Sequence, residues 1–555
     1  MKNKICFFLK SFSLLVLFFG FLNEIEAQIG FYTQNEFWYN KIDQNIASKK
    51  QSFASAFKPY VFSNSEEVQF SDSLIFSPNR FWESNSAFVK KVRANYFWRK
   101  LRKEAFIHVK EKDFKLVINP LFTLMQYKYA DSANYIGQSY LSLNTRGVQI
   151  YGSIGDKFSF YTDFFENQAF YPKYLDDYIR KTVSIPGQGV PKNYKAEGHD
   201  FSNASGYLIY APSKHWNFVL GNGKNFWGEG YRSLLLSDFT TSYPFFKVSF
   251  QSKYITYRVM YAEYMGFDVS YWHFGSGELA YRNRKYAAFN EISFTPNSFI
   301  QLSLIESVIW NVADSTQKEI AANFFNPLIF SKALSYGLHG SNNVILGANI
   351  KINPIKNIQL YGQFVGDQFK LSDTKNHKVA WQAGCKIFDL SYGLIPHFYT
   401  FVQVEHNQAN PYTYMHEDLN QNFTHLNLPL AHPLGANFKE NLIRANIIFR
   451  DFFIHLSYSN ILQGLDSLGL NNGSDLLQGD PDFDDISSKM KIGQGFENRI
   501  NFKRIQLGYT LNHQTNFQIL ICADFRDSKK GSVDIQENFY YFGIRTYIKN
   551  IYSDF

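Results

Sequence analysis

Hydrophobic and polar residues alternate with a period of two along most of this chain. In LGANIKI (346–352) apolar residues alternate with Gly, Asn and Lys, and the alternation resumes after a short turn in NIQLYGQF (357–364). The segments LIRANIIF (442–449) and FFIHLSYS (452–459) repeat the pattern on either side of Arg450-Asp451. Such alternation is typical of β-strands with one apolar face. The pattern therefore predicts an all-β chain.

Eighteen candidate strands follow one another from residue 121 onward. They are 121–129, 147–152, 157–165, 205–211, 215–221, 245–251, 254–264, 286–294, 299–309, 344–352, 357–365, 379–388, 396–405, 440–449, 452–459, 499–510, 516–525 and 538–548. From the second strand onward, we expect short turns and long loops to alternate strictly. The short connections include 152–156, 212–214, 295–298 and 450–451, and the long ones include 166–204, 310–343, 406–439 and 460–498.

This alternation of turns and loops favours a transmembrane barrel. Outer-membrane barrels have an even number of antiparallel strands, short periplasmic turns and longer outer loops. They must also close, because lipid satisfies no unpaired strand edge. Residues 121–555 are thus predicted to form an outer-membrane β-barrel of about 18 antiparallel strands, with the aromatic-rich segment 538–548 closing against the first. A soluble β-sandwich or solenoid is the alternative, because alternation alone would also fit it.

Residues 28–120 lack this rhythm and are predicted to form a small α-helical plug or periplasmic region. Trp38, Ile42 and Ile46 recur at helical spacing, and Ser84–Lys103 reads as a second, strongly basic helix. A small hairpin is expected across 106–118. The basic run is either a solvated helix face or a contact with an anionic surface, namely lipid headgroups or acidic polysaccharide.

Composition narrows the class of protein. The chain has 555 residues, of which 18% are aromatic, which excludes general disorder. Its one long apolar run lies at the N-terminus, so a bundle of membrane helices is excluded. Residues 1–27 are expected to be a secretory signal peptide, with a retained anchor as the alternative. The rest of the chain keeps Cys385 and Cys522, enough for one optional disulfide. The net charge of +8 is scattered and does not favour nucleic acid.

The densest motif is GNGKNFWGEG (221–230) with its continuation to Arg232. A phosphate-binding loop would need Ser or Thr after the lysine and a following helix, so nucleotide binding is rejected. Aromatic rings beside charged groups at a barrel mouth suit sugar rings and hydroxyls. The predicted polysaccharide-binding residues are Lys224, Trp227, Glu229, Tyr231 and Arg232. The alternative is a Gly-rich loop that folds into the lumen without binding a ligand.

Other polar motifs do not define a site. Asp480, Asp482 and Asp484 lack the Gly and Glu that an EF-hand requires, so a solvated acidic loop is favoured. His416 and His425, like His432 further along the same long loop, lack compact zinc spacing. No nucleophile elbow is found. We predict no catalytic residue, metal or cofactor and no enzymatic activity, although a barrel lipase stays compatible with the sequence.

Several stretches resemble one protein family. They are RKLRKEAFIHVKEKDFKLVINPLF (99–122), NFWGEGYRSLLLSDFTTSYPF (225–245), NPLIF (326–330), LGANIKINPIKNIQLYGQFVGDQFKL (346–371) and THLNLPLAHPLGANFKENL (424–442). Together and in this order they resemble the capsule-assembly Wzi-like outer-membrane proteins, especially the Bacteroidota gliding-motility branch, RemB. The resemblance implies an 18-strand barrel with an N-terminal helical plug in the outer membrane of a Gram-negative, Bacteroidota-like bacterium.

The same resemblance implies a non-enzymatic role at the cell surface. In the capsule branch this is retention of exported polysaccharide, and in the gliding branch it is support of surface motility. The expected partners are outer-membrane lipid, surface polysaccharide, and gliding or other cell-surface proteins. A passive porin is the alternative, since polar inward residues such as Gln359 and Gln363 fit either function.

Overall fold

The structure is a computed structural model. It describes residues 30–31, 39–44, 54–62, 87–130, 141–274, 277–311, 322–336, 342–367, 377–391, 394–395, 397–466, 469–481, 490–546 and 551–555. The predicted signal peptide, 1–27, lies outside the described residues, as do Trp38 and Ile46 of the first predicted helix.

Eighteen strands of the described chain form a closed antiparallel barrel and are numbered here β1 to β18 in chain order. They are β1 Phe114–Tyr129, β2 Leu141–Ile154, β3 Phe158–Phe170, β4 Gly198–Ser213, β5 Trp216–Gly223, β6 Tyr243–Gln251, β7 Ile255–Phe274, β8 Gly277–Phe294, β9 Ile300–Asn311, β10 Asn343–Ile355, β11 Ile358–Asp367, β12 Lys378–Phe388, β13 Phe398–Ala409, β14 Phe438–Phe449, β15 Phe452–Leu465, β16 Phe496–Asn512, β17 Phe517–Lys530 and β18 Val533–Arg545. Each predicted strand overlaps one of these, which confirms the predicted barrel.

The barrel closes where its last strand meets its first. β18 pairs antiparallel with β1, from Phe539 opposite Tyr129 to Arg545 opposite Thr123. The aromatic-rich closing strand is therefore confirmed. β1 begins at Phe114, so the predicted boundary at residue 121 falls within this strand, which also pairs with Ile107–Lys110 in the expected hairpin.

Two connections at the long-loop end contradict the predicted strict alternation. β7 and β8 continue outward until only residues 275–276 separate them, and β17 and β18 are joined by residues 531–532. Long loops were expected at both places. The error has a physical cause, because a strand that extends beyond the hydrocarbon does not need an apolar lipid-facing side. Its residues then lose the alternation by which a strand is recognised.

The two faces of the barrel wall have inverted polarity. In β3 the buried, inward positions include Ser159, Asp163 and Asn167, whereas the outward positions include the exposed Phe158 and Phe164. A water-soluble protein buries its apolar face instead. An apolar outer band around a polar interior is the arrangement of a barrel that spans a membrane.

Helices are few in the described part of the chain. They are α1 Ala87–Ala94, α2 Tyr96–Arg102, α3 Lys173–Thr182 and α4 Ser331–Tyr336, with 3₁₀ turns at Ala322–Phe325 and Leu419–Gln421; residues 39–44 are also helical. Lys192–Tyr194 is a short strand that pairs with the start of β4. Short strands outside the barrel sheet are Gly30–Phe31, Phe57–Lys58, Val61–Phe62, Phe226–Trp227, Thr424–His425 and Leu428–Pro429. No described helix is long and apolar enough to cross a membrane.

α1 and α2 lie within the predicted basic helix, Ser84–Lys103. α2 has no buried residue, and its end contacts the short-turn end of β16, where the Asn512 amide donates to the carbonyl oxygens of Lys100 (2.9 Å) and Glu104 (3.1 Å). The two strand cysteines, Cys385 on β12 and Cys522 on β17, are both free, so the optional disulfide is absent.

Leu208 tests the assignment of the outer face. It lies outward on β4 with 62% of its surface exposed. We expect Leu208→Arg to reduce the free energy of unfolding by about 2–4 kcal/mol, because the charge would enter the hydrocarbon. Leu470 is as exposed, at 66%, but lies in the outer connection between β15 and β16, so Leu470→Arg is the control and should be nearly neutral. Urea unfolding in phospholipid vesicles measures both, and equal effects would contradict the assignment.

Candidate functional site: an occluded lumen and a cavity at its outer end

The connection between β5 and β6 folds into the barrel. Residues 224–242 are almost entirely buried although they contain little regular structure. Four of the five predicted binding residues lie in this interior: Lys224 is 6% exposed, Trp227 and Arg232 are 1% exposed, and Glu229 is fully buried. Tyr231 is half-buried. The structure thus places the motif inside the lumen, as the alternative interpretation expected.

Each of these side chains is engaged by the protein itself. The Lys224 ammonium donates to the carbonyl oxygen of Asp238 at 3.0 Å. The Trp227 ring meets Phe57 edge to face, with centroids 4.9 Å apart. The Glu229 carboxylate accepts a 2.6 Å hydrogen bond from the Ser55 hydroxyl. The motif therefore serves as a scaffold for contacts across the lumen.

Arg232 is the charged centre of this interior. Its guanidinium lies 3.1 Å from a carboxylate oxygen of Glu440, on the inner face of β14, and 3.1 Å from one of Asp554 near the C-terminus. Burial alone would lower the pKa of Arg232, but the carboxylates of Asp554 and Glu440 hold it well above its usual value. Two carboxylates and one guanidinium give a charge-assisted network, which tethers the last residues of the chain to the wall.

The C-terminal tail, residues 551–555, is part of the filling. The Tyr552 hydroxyl donates to the Asp238 carboxylate at 2.5 Å. The Tyr174 hydroxyl of α3 donates to the Ser553 carbonyl oxygen at 2.6 Å. Phe555 packs edge to face on Phe239, with centroids 5.5 Å apart. The tail thus leaves β18 and returns into the lumen.

A second outer connection, residues 410–437, is also buried. It contains His416, His425 and His432, which are 5%, 2% and 0% exposed. Burial and the nearby Lys285 lower the pKa of His425 to about 3, so its ring is neutral. His432 bonds Glu440 at 2.8 Å. Within the described ranges no group of His, Cys, Asp or Glu is arranged to hold a metal ion.

The N-terminal segment fills the other end of the lumen. Asp43, in the helical turn 39–44, pairs with Lys386 of β12 at 3.0 Å. Phe57–Lys58 pairs as a strand with Phe226–Trp227, and the Lys58 ammonium donates to the carbonyl oxygen of Gly228 at 3.0 Å. We call residues 39–44, 54–62, 224–242, 410–437 and 551–555 together the luminal segments. Their buried side chains and backbone cross the interior of the barrel.

A cavity of about 360 Å³ remains at the outer end of the barrel. It lies between α3, residues 427–435, residues 474–477 and the inner faces of β16, β17 and β18. At its rim the side chains of Lys173, Asp177 and Lys181 are each more than half exposed, so the cavity reaches the outer surface. Tyr174 and Tyr178 contribute aromatic rings to its lining.

The inner wall of this cavity carries polar atoms without a protein partner. They are Oδ1 of Asn498, Nε of Arg526 and Oγ of Ser528, all buried. Arg526 is otherwise held by Glu537, at 3.1 Å, and lies over the ring of Tyr174, 4.4 Å from its centroid. Buried polar atoms are normally paired with protein, water or ligand. No sequence pattern distinguishes these three residues, because inward polar positions recur on every strand.

Comparisons with known proteins were made at the levels of sequence and fold. No protein-family model matches the chain, and the search of curated proteins finds no match. Among solved structures, the chain is similar to Wzi of Escherichia coli, with a TM-score of 0.54 at 11% identity over 93% of this chain and 99% of that chain. Wzi is described as a carbohydrate-binding β-barrel involved in group 1 capsule assembly.

Porins are also similar, but at lower scores. OprD of Pseudomonas aeruginosa gives a TM-score of 0.39 at 10% identity, covering 80% of this chain and 97% of that chain. A BenF-like porin from Pseudomonas fluorescens gives 0.40 at 8% identity, covering 78% and 98%. These lower scores do not establish a common fold. The similarity to Wzi establishes the fold, and the barrel is of the outer-membrane class.

Arg232→Ala should release the luminal segments. Removing one partner of a buried ion pair costs about 3–5 kcal/mol, because the remaining charges stay buried. Hydrogen exchange should therefore lose protection in residues 410–437 and 551–555. The matched control is Arg499→Ala, which removes an exposed pair with Glu497 (2.6 Å) and should leave this protection unchanged, because solvent screens exposed pairs. Unchanged protection in Arg232→Ala would contradict the tethering role.

Proposed function

We propose that this protein is a non-enzymatic barrel of the Gram-negative outer membrane that binds surface polysaccharide and does not transport solutes. The observation that carries the proposal is the occluded lumen with a polar and aromatic cavity at its outer end. A polysaccharide-binding protein requires a ligand-binding cavity of this kind and does not require an aqueous channel through the barrel. The fold shared with a carbohydrate-binding barrel supports the same function.

A passive porin is disfavoured by the luminal segments. A porin keeps a water-filled channel, whereas here an ion pair network and aromatic contacts cross the interior. Releasing these segments would break the buried Arg232–Glu440 and Asp43–Lys386 pairs. A resting state with an open channel is therefore costly for this chain.

The chemistry of the cavity suits a sugar chain. Hydroxyl groups can donate to Asn498 Oδ1 and can accept from Arg526 Nε, while the Ser528 hydroxyl can do either. Tyr174 and Tyr178 line the cavity beside these polar groups, and aromatic residues with a few polar groups are a combination found in small-ligand sites. At the rim Lys173 pairs with Asp177 and Lys181 pairs with Asp475, each at 2.8 Å, so the charges of these four side chains are balanced.

The five residues predicted from the sequence have a different part in this proposal. Lys224, Trp227, Glu229 and Arg232 hold the luminal segments in place, and Tyr231 packs between Arg444 and Tyr552. Their effect on polysaccharide binding would pass through the shape of the cavity, because the tail that Arg232 tethers ends at Phe555 in the cavity lining.

We place the binding function in capsule-like retention of exported polysaccharide or in gliding motility. The stretches that resemble the Bacteroidota gliding branch support the second, in which slime polysaccharide or gliding proteins at the cell surface would be the partners. The shared fold with Wzi supports the first. Both uses require the same outer cavity.

The double substitution Asn498→Ala with Ser528→Ala tests the cavity. It removes two hydrogen-bonding groups that the protein leaves unpaired, so binding should weaken by about 5- to 100-fold with little loss of stability. Purified bacterial capsular polysaccharides, acidic and neutral, immobilised on a biosensor, are the probes.

The matched control is Asn217→Ala with Ser307→Ala. These two residues also face the lumen and carry buried, unpaired polar atoms, but they lie outside the cavity lining. Binding should be unchanged in the control. Binding that survives in the cavity variant, or falls equally in both, would contradict the proposed site.

A further inference from the structure

Two polar residues on the outer wall of the barrel are hidden from lipid. Asn290 of β8 and Glu306 of β9 are paired in register and belong to the outward series that includes the exposed Leu302 and Leu304. Both polar side chains are nevertheless fully buried. An unpaired carboxylate facing hydrocarbon would be very costly. Something must therefore cover this part of the wall.

The cover is residues 322–336, from the connection between β9 and β10. The ring of Phe324 stacks on Trp310 of β9, with centroids 4.0 Å apart and planes 6° apart. Phe324 and Trp310 form one buried cluster with Ala288, Val308 and Val344, which lie on β8, β9 and β10. This outer connection thus folds back over the outside of the barrel, across its lipid-facing wall.

Side chains of the barrel wall form hydrogen bonds with backbone groups of this cover. The Tyr261 hydroxyl donates to the carbonyl oxygen of Phe325 at 2.7 Å. The Tyr257 hydroxyl donates to the carbonyl oxygen of Pro327 and accepts from the Ile329 amide at 3.0 Å. Both tyrosines stand on β7. The motif NPLIF (326–330) is therefore the part of the cover that docks on the wall.

The two buried polar residues complete this docking. The Glu306 carboxylate accepts from the backbone amides of Phe330 (3.0 Å) and Ala333 (2.8 Å), and the Asn290 amide reaches the Leu328 carbonyl oxygen at 3.5 Å. Lys332 lies 4.0 Å from Glu306 and donates to the Asn326 carbonyl oxygen at 2.8 Å. These bonds pair several backbone groups of the cover with side chains of the wall and of Lys332. In hydrocarbon, unsatisfied backbone groups are not tolerated.

The opposite face of the cover is apolar and exposed. Phe325, Leu328 and Leu334 are 51%, 66% and 85% exposed. In water, an exposed apolar patch on a segment whose polar groups already have partners would favour aggregation. Against acyl chains it is the expected surface.

Strand register places the cover at membrane depth. Tyr257 lies opposite Ile292, and Ile292 lies opposite Leu304, which is 46% exposed in the lipid-facing band. Glu306 is six positions from Ile300 at the short-turn end of β9, a height of about 15 Å for a tilted strand. The apolar band of such barrels is about 25 Å tall. The docking residues therefore lie within it.

We propose that residues 322–336 are embedded in the hydrocarbon band of the membrane, docked on β7 to β10, with Phe325, Leu328 and Leu334 in contact with lipid acyl chains. This element seals the polar pair Asn290–Glu306 from hydrocarbon and widens the barrel's contact with lipid. The partner is lipid, and the interaction does not depend on the proposed polysaccharide function.

Spin-label accessibility in single-copy nanodiscs tests this proposal on the whole chain from Gln28. Leu328→Cys is labelled in a Cys385→Ser, Cys522→Ser background and probed with oxygen, which partitions into lipid, and with a water-soluble nickel chelate. The controls are Leu208→Cys on the lipid-facing wall and Leu470→Cys in another outer connection. These three leucines have similar exposures of 66%, 62% and 66%.

The ratio of oxygen accessibility to nickel-chelate accessibility at position 328 should equal the ratio at position 208. It should exceed the ratio at position 470. A ratio equal to that of position 470 would place the cover in water and overturn the proposal. Protection from both probes would mean that protein covers it, which would also overturn lipid as the partner.

Adding Glu306→Ala tests the docking contacts separately. With the carboxylate gone, nickel accessibility at position 328 should rise while that at position 208 stays the same. An unchanged value at position 328 would show that Glu306 does not hold the cover. If the unheated variant migrates on a gel at the same electrophoretic mobility as the unheated, unsubstituted protein, its barrel is folded.

Discussion

The closure of β18 against β1 is the constraint on which the rest of this structure depends. Hydrocarbon offers no hydrogen-bonding partner, so every backbone amide and carbonyl of the wall must be paired within the protein. A sheet with edges cannot meet this requirement, whereas a closed ring can. Closure in turn forces one face of each strand toward lipid and the other into an enclosed interior.

The enclosed interior explains why so many ionised groups are buried here. Eighteen strands enclose a space too wide for wall side chains to fill, so the chain fills it with its own segments from both ends. The Arg232 network and the Asp43–Lys386 pair then hold irregular backbone in place beside a buried apolar cluster that includes Phe57, Trp227 and Phe239. The same principle operates outside the wall, where Glu306 and Asn290 satisfy the backbone of the NPLIF motif.

Much of the barrel could be predicted from the sequence because lipid imposes a period-two pattern on each span. Residues that lie beyond the hydrocarbon lose this pattern, and for that reason the outer halves of β7 and β8 were expected to be loops. The luminal position of the Trp227 motif is decided by contacts with Phe57, which is far away in sequence. No local pattern reports such a contact.

The cavity and the outer cover differ in whether a sequence pattern indicates them. Asn498 and Ser528 are indistinguishable from any other inward residue of an alternating strand. Glu306, in contrast, interrupts the apolar series of Leu302, Leu304 and Val308, and such an interruption signals that something other than lipid faces that position. Its partner in NPLIF could be found only from the three-dimensional structure.

Single-channel recording of the unmodified protein in planar bilayers tests the central claim most directly, since that claim is an occluded lumen. Inserted protein should show no steady conductance, because the luminal segments cross the interior and are held to the wall by buried ion pairs. A stable open channel in the unmodified protein would contradict this account and favour a porin.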